Sequence, residues 1–151
     1  MSRIAFPFAQ LLFVVAFCAG GALAANNSPV GKWKTISDED GKPRAIIEIV
    51  ETNGVYEGFI RERFPRPDDD PEGKCRACPG QFKDQAIIGM KNLWGLKKEG
   101  DEYKGGEILD PKKGKIYKAK MSLSEDGKSL NVRGFIGISI IGRTQTWLRQ
   151  E

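Results

Sequence analysis

Short runs of alternating hydrophobic and polar residues, separated by polar turns, fill the chain from residue 30 to its end. The alternation is clearest in residues 115–123. A period of two is typical of a strand that buries one face. On that strand we expect the buried face to carry Tyr117, Ala119, Met121 and Leu123.

Turn sequences divide the rest of the chain into further strands. Asn53-Gly54 is a dipeptide that favours tight hairpins. Gly105-Gly106 falls inside a strand, where paired glycines indicate a bulge. The segments that we predict as strands are residues 30–36, 45–51, 55–63, 86–90, 92–96, 102–109, 115–123, 129–136, 138–141 and 144–149.

Two segments are hydrophobic on both faces. The first contains Ile46, Ile47, Ile49 and Val50, and the second is the nearly continuous hydrophobic run of residues 135–141. A strand buries both faces only when something covers its outer side. We therefore expect the long loop or a partner to cover these segments.

Tryptophan and arginine stand at the two ends of this strand-rich region. Gly31-Lys32-Trp33 opens it and Trp147-Leu148-Arg149 closes it. A Trp on the first strand can plug one end of a closed barrel, and an Arg on the last strand can lie over the indole, a contact worth about 0.5–2 kcal/mol. The pattern predicts an all-β fold, a small antiparallel up-and-down barrel of about eight strands.

The first 24 residues have the three parts of a secretory signal peptide. Arg3 is the positive n-region, residues 11–17 form the apolar h-region, and Ala22-Leu23-Ala24 is a cleavage site. The apolar stretch is shorter than the ~20 residues of a membrane anchor. We expect cleavage after Ala24, which would leave residues 25–151, one exported domain of 127 residues without a transmembrane segment.

A long irregular stretch, residues 64–85, interrupts the strands. It contains four prolines, the acidic run 68–70, and Cys75 and Cys78, the only cysteines of the exported part. Loops of this length are usually functional or disordered. In an oxidising compartment the two cysteines are expected to form a disulfide with each other.

Three other functions of this C-x-x-C motif have less support. A structural zinc site needs four Cys or His ligands, and the sequence has no His. Covalent haem attachment needs His after the second Cys, where Pro79 stands. A thioredoxin-type redox site lies at a helix N-terminus, and no βαβ pattern surrounds this motif, so a redox role stays only as an alternative.

Charge and composition argue against nucleic acid and against catalysis. The exported part has 23 basic and 20 acidic residues, a formal charge of +3, interleaved along the chain as on a solvated surface. Without His the commonest general base is missing, and Ser-His-Asp and Cys-His arrangements are excluded. Carboxylates such as Asp68 and Asp70 are more often solvated than catalytic. We expect no enzyme, no cofactor and no metal site.

Four motifs resemble a known family. They are G-K-W-K-T at 31–35, C-R-A-C at 75–78, G-G-E-I-L-D-P-K-K-G-K-I-Y at 105–117 and V-R-G-F-I-G-I-S-I-I-G-R-T-Q-T-W-L-R at 132–149. In this order they are similar to the exported bacterial domain-of-unknown-function family 2147. The resemblance implies a lipocalin- or calycin-like barrel, periplasmic or secreted, without an established activity. It also implies that Gly31, Trp33 and Arg149 close the barrel and that Cys75 pairs with Cys78.

Barrels of this strand number either fill with side chains or hold one small ligand. Our first hypothesis is a noncatalytic binding protein for a small, largely apolar molecule, with space left by the small residues Ala119 and Gly134. The alternative is a filled barrel that acts as a protein-interaction or inhibitor module on an envelope partner through the 64–85 loop. The residues that we predict to line a ligand are Tyr56, Trp94, Tyr117, Ala119 and Met121.

Overall fold

The computed structural model describes residues 27–150, and the predicted signal peptide, residues 1–24, lies outside them. Eight strands and one short 3-10 helix, Gly80–Phe82, make up the described chain. None of its helices has the length and apolar character needed to span a bilayer. The strands are β1 (Gly31–Ile36), β2 (Pro43–Thr52), β3 (Val55–Arg63), β4 (Lys91–Glu99), β5 (Glu102–Asp110), β6 (Lys115–Leu123), β7 (Ser129–Phe135) and β8 (Gly142–Gln150).

The strands close into an up-and-down barrel. Each strand pairs antiparallel with the next, and β8 pairs back with β1, where Trp33 lies opposite Arg149. Closure pairs every strand on both sides, so no sheet edge is left open. The predicted fold class, including the number of strands, is confirmed.

Two predicted strands are wrong. Residues 86–90 form turns, with one isolated bridge between Lys74 and Ala86. Residues 138–141 belong to the connection between β7 and β8, because Phe135 pairs directly with Gly142 and leaves six residues outside the ladder. Their β-branched composition favours a strand, but cross-strand register decides where the strand ends.

β-Bulges explain two irregularities of the sequence pattern. The β2–β3 register shifts between Ile46 and Ile47, so both of these consecutive residues are buried. The β5–β6 register shifts between Tyr103 and Gly106, which confirms the predicted bulge. A Cβ atom on Gly106 would overlap the side chain of Leu96, so glycine lets β4 and β5 approach closely there.

The two ends of the barrel differ in their connections. Residues 53–54, 100–101 and 124–128 form the turns at one end, here called the closed end. Residues 37–42, 64–90, 111–114 and 136–141 connect strands at the other end, here called the open end. Asn53 and Gly54 are both left-handed, with φ of 52° and 79°, as a tight primed turn requires.

The side chains inside the barrel are larger toward the closed end than toward the open end. Bulky side chains with at most 1% exposure, among them Trp33, Leu96 and Met121, fill the closed half. Near the open end some residues that face the barrel interior are small, as at Ala45 and Gly134. The barrel interior is therefore packed at the closed end and leaves room at the open end.

Candidate binding site

The guanidinium of Arg149 is the centre of the closed end. Its Cζ lies 4.2 Å from the centroid of the Trp33 ring, within range of a cation–π contact. The same group donates hydrogen bonds to the carbonyl oxygens of Gly127, Ser28 and Val30 at 2.6, 2.7 and 3.1 Å. One side chain thus joins β8 to the β6–β7 turn and to the segment before β1.

Gly31 and Trp33 complete this group. A Cβ atom on Gly31 would lie 3.1 Å from Nη1 of Arg149, and its φ of 131° lies in the region that favours glycine. The indole nitrogen of Trp33 donates to the carbonyl oxygen of Pro29 at 2.8 Å. The structure therefore brings Gly31, Trp33 and Arg149 into contact, and their energetic role in closing the barrel stays a prediction.

A pocket of about 610 Å³ enters the barrel from the open end. That volume lies within the usual range of small-molecule sites, roughly 300–1,000 Å³. Charged side chains surround its mouth, whereas its inner walls are mostly apolar. The inner wall residues include Ala45, Ile47, Ile60, Ile108, Tyr117, Val132 and Trp147.

Three of the predicted lining residues lie on the inner face of β6, at different depths. Tyr117 is a wall residue of the pocket. Ala119 and Met121, both 1% exposed, belong to the packed core away from the pocket walls. The alternation in the sequence identified the buried face of β6, but not the depth at which the packing ends.

The other two predicted lining residues also lie away from the pocket walls. Tyr56 packs edge-on against Tyr103, with ring centroids 4.7 Å apart. Trp94 stacks on Phe82 of the long loop at 5.5 Å and donates to Glu107 at 2.9 Å. Whether any of the five residues contacts a ligand stays a prediction.

Asn92 is a pocket residue that sequence reasoning missed. Its side chain lines the pocket, is 5% exposed overall, and has an Oδ1 atom without a hydrogen-bond partner among the described residues. The β3–β4 register shifts between Gly58 and Phe59, and as a result Asn92 and Leu93 are both buried. Asn is depleted in strands. The presence of Asn92 in the otherwise apolar residues 92–96 was therefore the feature of the sequence that could have indicated a binding role.

The connection of residues 64–90 folds over the open end and is fixed there by Asp69. Arg44 donates to Oδ1 of this carboxylate at 3.1 Å, and Arg63 lies 3.3 Å from Oδ2. Burial raises the pKa of Asp69, but the hydrogen bonds from Arg44 and from the Arg66 backbone and the nearby positive charges outweigh it. The net effect is a pKa below the usual value of an aspartate.

Other contacts hold the same connection against the β5–β6 turn. Cys75 and Cys78 form the predicted disulfide, with Cα atoms 5.4 Å apart, and Sγ of Cys75 lies 3.2 Å from the carbonyl oxygen of Pro111. A Cβ atom on Gly114 would overlap the carbonyl group of Ala77. The connection is thus part of the pocket wall.

Among residues 27–150, no group of three His, Cys, Asp or Glu side chains is placed to hold a metal ion.

We expect the 64–90 connection to loosen at acidic pH. Because the folded-state pKa of Asp69 lies below its unfolded value, its ion pairs contribute fully above the unfolded value, and the contribution is lost as pH falls through the folded one. The protection of residues 64–90 against hydrogen exchange, measured relative to the unfolded chain at the same pH, should therefore fall below about pH 4. Asp69→Asn should show this lower protection already at pH 7.

Asp101→Asn is the control, because Asp101 is exposed in the β4–β5 turn at the closed end. Asp68, Asp70 and Glu72 also have lowered pKa values, owing mainly to hydrogen bonds, so the acid response alone does not isolate Asp69. If residues 64–90 of Asp69→Asn exchange as slowly at pH 7 as those of the wild type, Asp69 does not anchor the connection.

Comparisons with known proteins agree with this barrel. A solved structure titled "Protein HP1028 from the human pathogen Helicobacter pylori belongs to the lipocalin family" superposes with a TM-score of 0.69 at 22% identity, covering 82% of this chain and 84% of that chain. A search of curated proteins gave no match. The sequence model described as "Uncharacterized protein conserved in bacteria (DUF2147)" matches residues 31–149, nearly all of the barrel. The chain belongs to this DUF2147 family and has a lipocalin-like fold.

Proposed function

We propose that this protein binds a small, largely apolar molecule in the open-end pocket of its barrel, without catalysing a reaction. The pocket of about 610 Å³ carries the proposal. An eight-stranded barrel is wide enough to hold one small ligand, and apolar walls such as Ile47, Ile60 and Val132 favour an apolar guest. The signal-like N-terminus supports a location outside the cytoplasm, in the periplasm or secreted.

Asn92 adds a requirement for the ligand. A buried polar atom without a partner costs roughly 1–3 kcal/mol. Oδ1 of Asn92 is covered by protein atoms, so a ligand with one uncharged hydrogen-bonding group, such as a hydroxyl, would become its partner once the amide turns Oδ1 toward the pocket, while the rest of the molecule contacts the apolar walls. We therefore expect an alcohol to bind better than the alkane of the same length.

A substitution that fills the pocket tests the proposal. A Cβ atom on Gly134 would lie 3.5 Å from Ile108 and 3.6 Å from Tyr117, which is ordinary contact, so Gly134→Phe adds a ring beside two wall residues. We expect the fluorescent probe N-phenyl-1-naphthylamine to bind the wild type and to bind Gly134→Phe at least about tenfold more weakly, a difference of roughly 1.4 kcal/mol. Displacement of the probe by octanol and by octane measures the contribution of Asn92.

Two further variants complete this experiment. Lys97→Phe places the same ring on an exposed position of β4 and should leave probe binding unchanged. Asn92→Leu removes the unpaired amide, so it should keep probe binding and lose the preference for octanol. Absence of probe binding to the wild type, or equal binding by Gly134→Phe and Lys97→Phe, would contradict the proposal.

The alternative of an interaction module that uses the 64–85 loop has weaker support. It requires a filled barrel, whereas the open half contains the pocket. The charged side chains of the loop also pair within the chain, as Arg76 does with Asp70, Glu72 and Asp84. A wild-type protein without probe binding would return this alternative to first place.

A further inference from the structure

The connection between β7 and β8, residues 136–141, is here called the isoleucine tip. Its four isoleucines, Ile136, Ile138, Ile140 and Ile141, are 65%, 61%, 81% and 65% exposed. So much aliphatic surface on six consecutive residues usually marks an interaction site. Of the two expected covers, the long loop is wrong for this segment, because these side chains are exposed, and a partner stays a prediction. The tip borders the pocket, whose lining includes Ile136 and Ile141.

Side chains of β6 and β7 and two backbone amides of the tip donate to the carbonyl groups of the tip. Nε and Nη2 of Arg133 donate to the carbonyl oxygens of Ser139 and Ile140 at 2.5 and 3.0 Å, and Nζ of Lys118 lies 3.5 Å from that of Gly137. The carbonyls of residues 138 and 141 accept from backbone amides of the tip. Within the apolar layer of a bilayer, backbone polar groups must be satisfied internally. All five carbonyls of residues 137–141 meet this condition, as do the amides of Ile136 and Ile141, whereas the amides of residues 137–140 have no acceptor among the described residues and would stay at the depth of the lipid headgroups.

Positive charge lies beneath the tip. Lys118 and Arg133 reach the carbonyl groups of the tip, and neither forms an ion pair among the described residues, whereas Arg143 at the start of β8 is paired with Asp38. Among the described residues no carboxylate pairs with Arg133, whose other side-chain partner is the hydroxyl of Thr144. Its charge is therefore not offset by an ion pair. Cations next to an apolar segment are complementary to an anionic lipid surface.

We propose that the isoleucine tip inserts into the surface of a bilayer containing anionic phospholipid. Insertion would place the mouth of the pocket at the membrane. A protein partner fits less well, because protein interfaces concentrate binding energy in Trp, Tyr and Arg, whereas the exposed apolar surface of the tip is entirely isoleucine. The proposal does not depend on ligand binding.

Vesicle cosedimentation tests the proposal with the purified protein. Wild type should bind vesicles of phosphatidylcholine with phosphatidylglycerol more tightly than vesicles of phosphatidylcholine alone, and added salt should weaken the binding. The double variant Ile138→Ser with Ile140→Ser should bind at least about tenfold more weakly, because it removes two apolar side chains from the inserted surface. Leu148→Ser is the control, since Leu148 is 45% exposed and lies on β8 toward the closed end, away from the tip.

Each outcome has a defined meaning. The proposal is overturned if wild type does not bind anionic vesicles, or if the tip variant binds as tightly as Leu148→Ser. It is also overturned if sedimentation shows a wild-type dimer that the tip variant loses, without vesicle binding by either. Thermal melting should be unchanged in both variants because the substituted side chains are exposed. Failure of the fluorescent probe to bind would remove the proposed ligand function and leave this result standing.

Discussion

Replacing Arg149 with alanine is expected to lower the free energy of unfolding by about 3 kcal/mol. The variant loses the stacking on Trp33, worth about 0.5–2 kcal/mol, and the hydrogen bonds from Arg149 to the carbonyl oxygens of Ser28 and Gly127. The aliphatic part of the arginine side chain also packs at this partly buried position. Urea denaturation midpoints measure the change.

Lys115→Ala provides the comparison, because Lys115 is exposed on β6 and its removal should change stability by no more than about 0.5 kcal/mol. Arg149→Lys should lie between the two, since it keeps the charge and loses the planar group that reaches several acceptors. Equal midpoints for Arg149→Ala and Lys115→Ala would count against a role in closing the barrel.

The second large effect is expected at Gly114. Gly114 and Gly100 have nearly the same left-handed φ, 64° and 61°, so alanine introduces similar backbone strain at both, about 1 kcal/mol. Only at Gly114 would the added Cβ overlap the carbonyl group of Ala77, whereas nothing lies within 4 Å of it at Gly100. Gly114→Ala should therefore cost about 3 kcal/mol in total, because the 64–90 connection must move away.

Limited proteolysis distinguishes this mechanism from simple strain. Cleavage within residues 64–90 should accelerate in Gly114→Ala and stay at the wild-type rate in Gly100→Ala. If the two variants have the same stability and the same cleavage rate, the contact between Gly114 and Ala77 does not hold the connection in place.

The sequence predicted the barrel well because its evidence is local. Strand alternation in residues 115–123, the turn at Asn53-Gly54 and the bulge at Gly105-Gly106 depend on neighbouring residues, and the structure contains all three. The segment 138–141 was predicted as a strand because Ile has high β-propensity. The β7–β8 ladder ends where Phe135 pairs with Gly142, and amino-acid composition does not determine which residues pair there.

The pocket was harder to predict because it depends on depth along the barrel. Met121 and Tyr117 alternate on one strand and share a face, yet Met121 is in the packed half and Tyr117 in the open half. Asn92 enters the interior through a shift of the β3–β4 register. Register shifts of this kind result from the pairing of two strands, so neither strand alone predicts them.

The contact between the first and the last strand has a consequence for folding kinetics. Arg149 bonds to residues 119 and 121 positions earlier in the chain, and β8 must pair with β1 before the barrel has no free edge. Contacts between such distant residues slow folding, because loop-closure entropy is lost before they form. A growing or truncated chain without residues 142–150 would keep β1 and β7 as open edges, and such edges promote aggregation. Closure of this barrel therefore requires β8, residues 142–150, and the earlier strands stay an open sheet until β8 pairs.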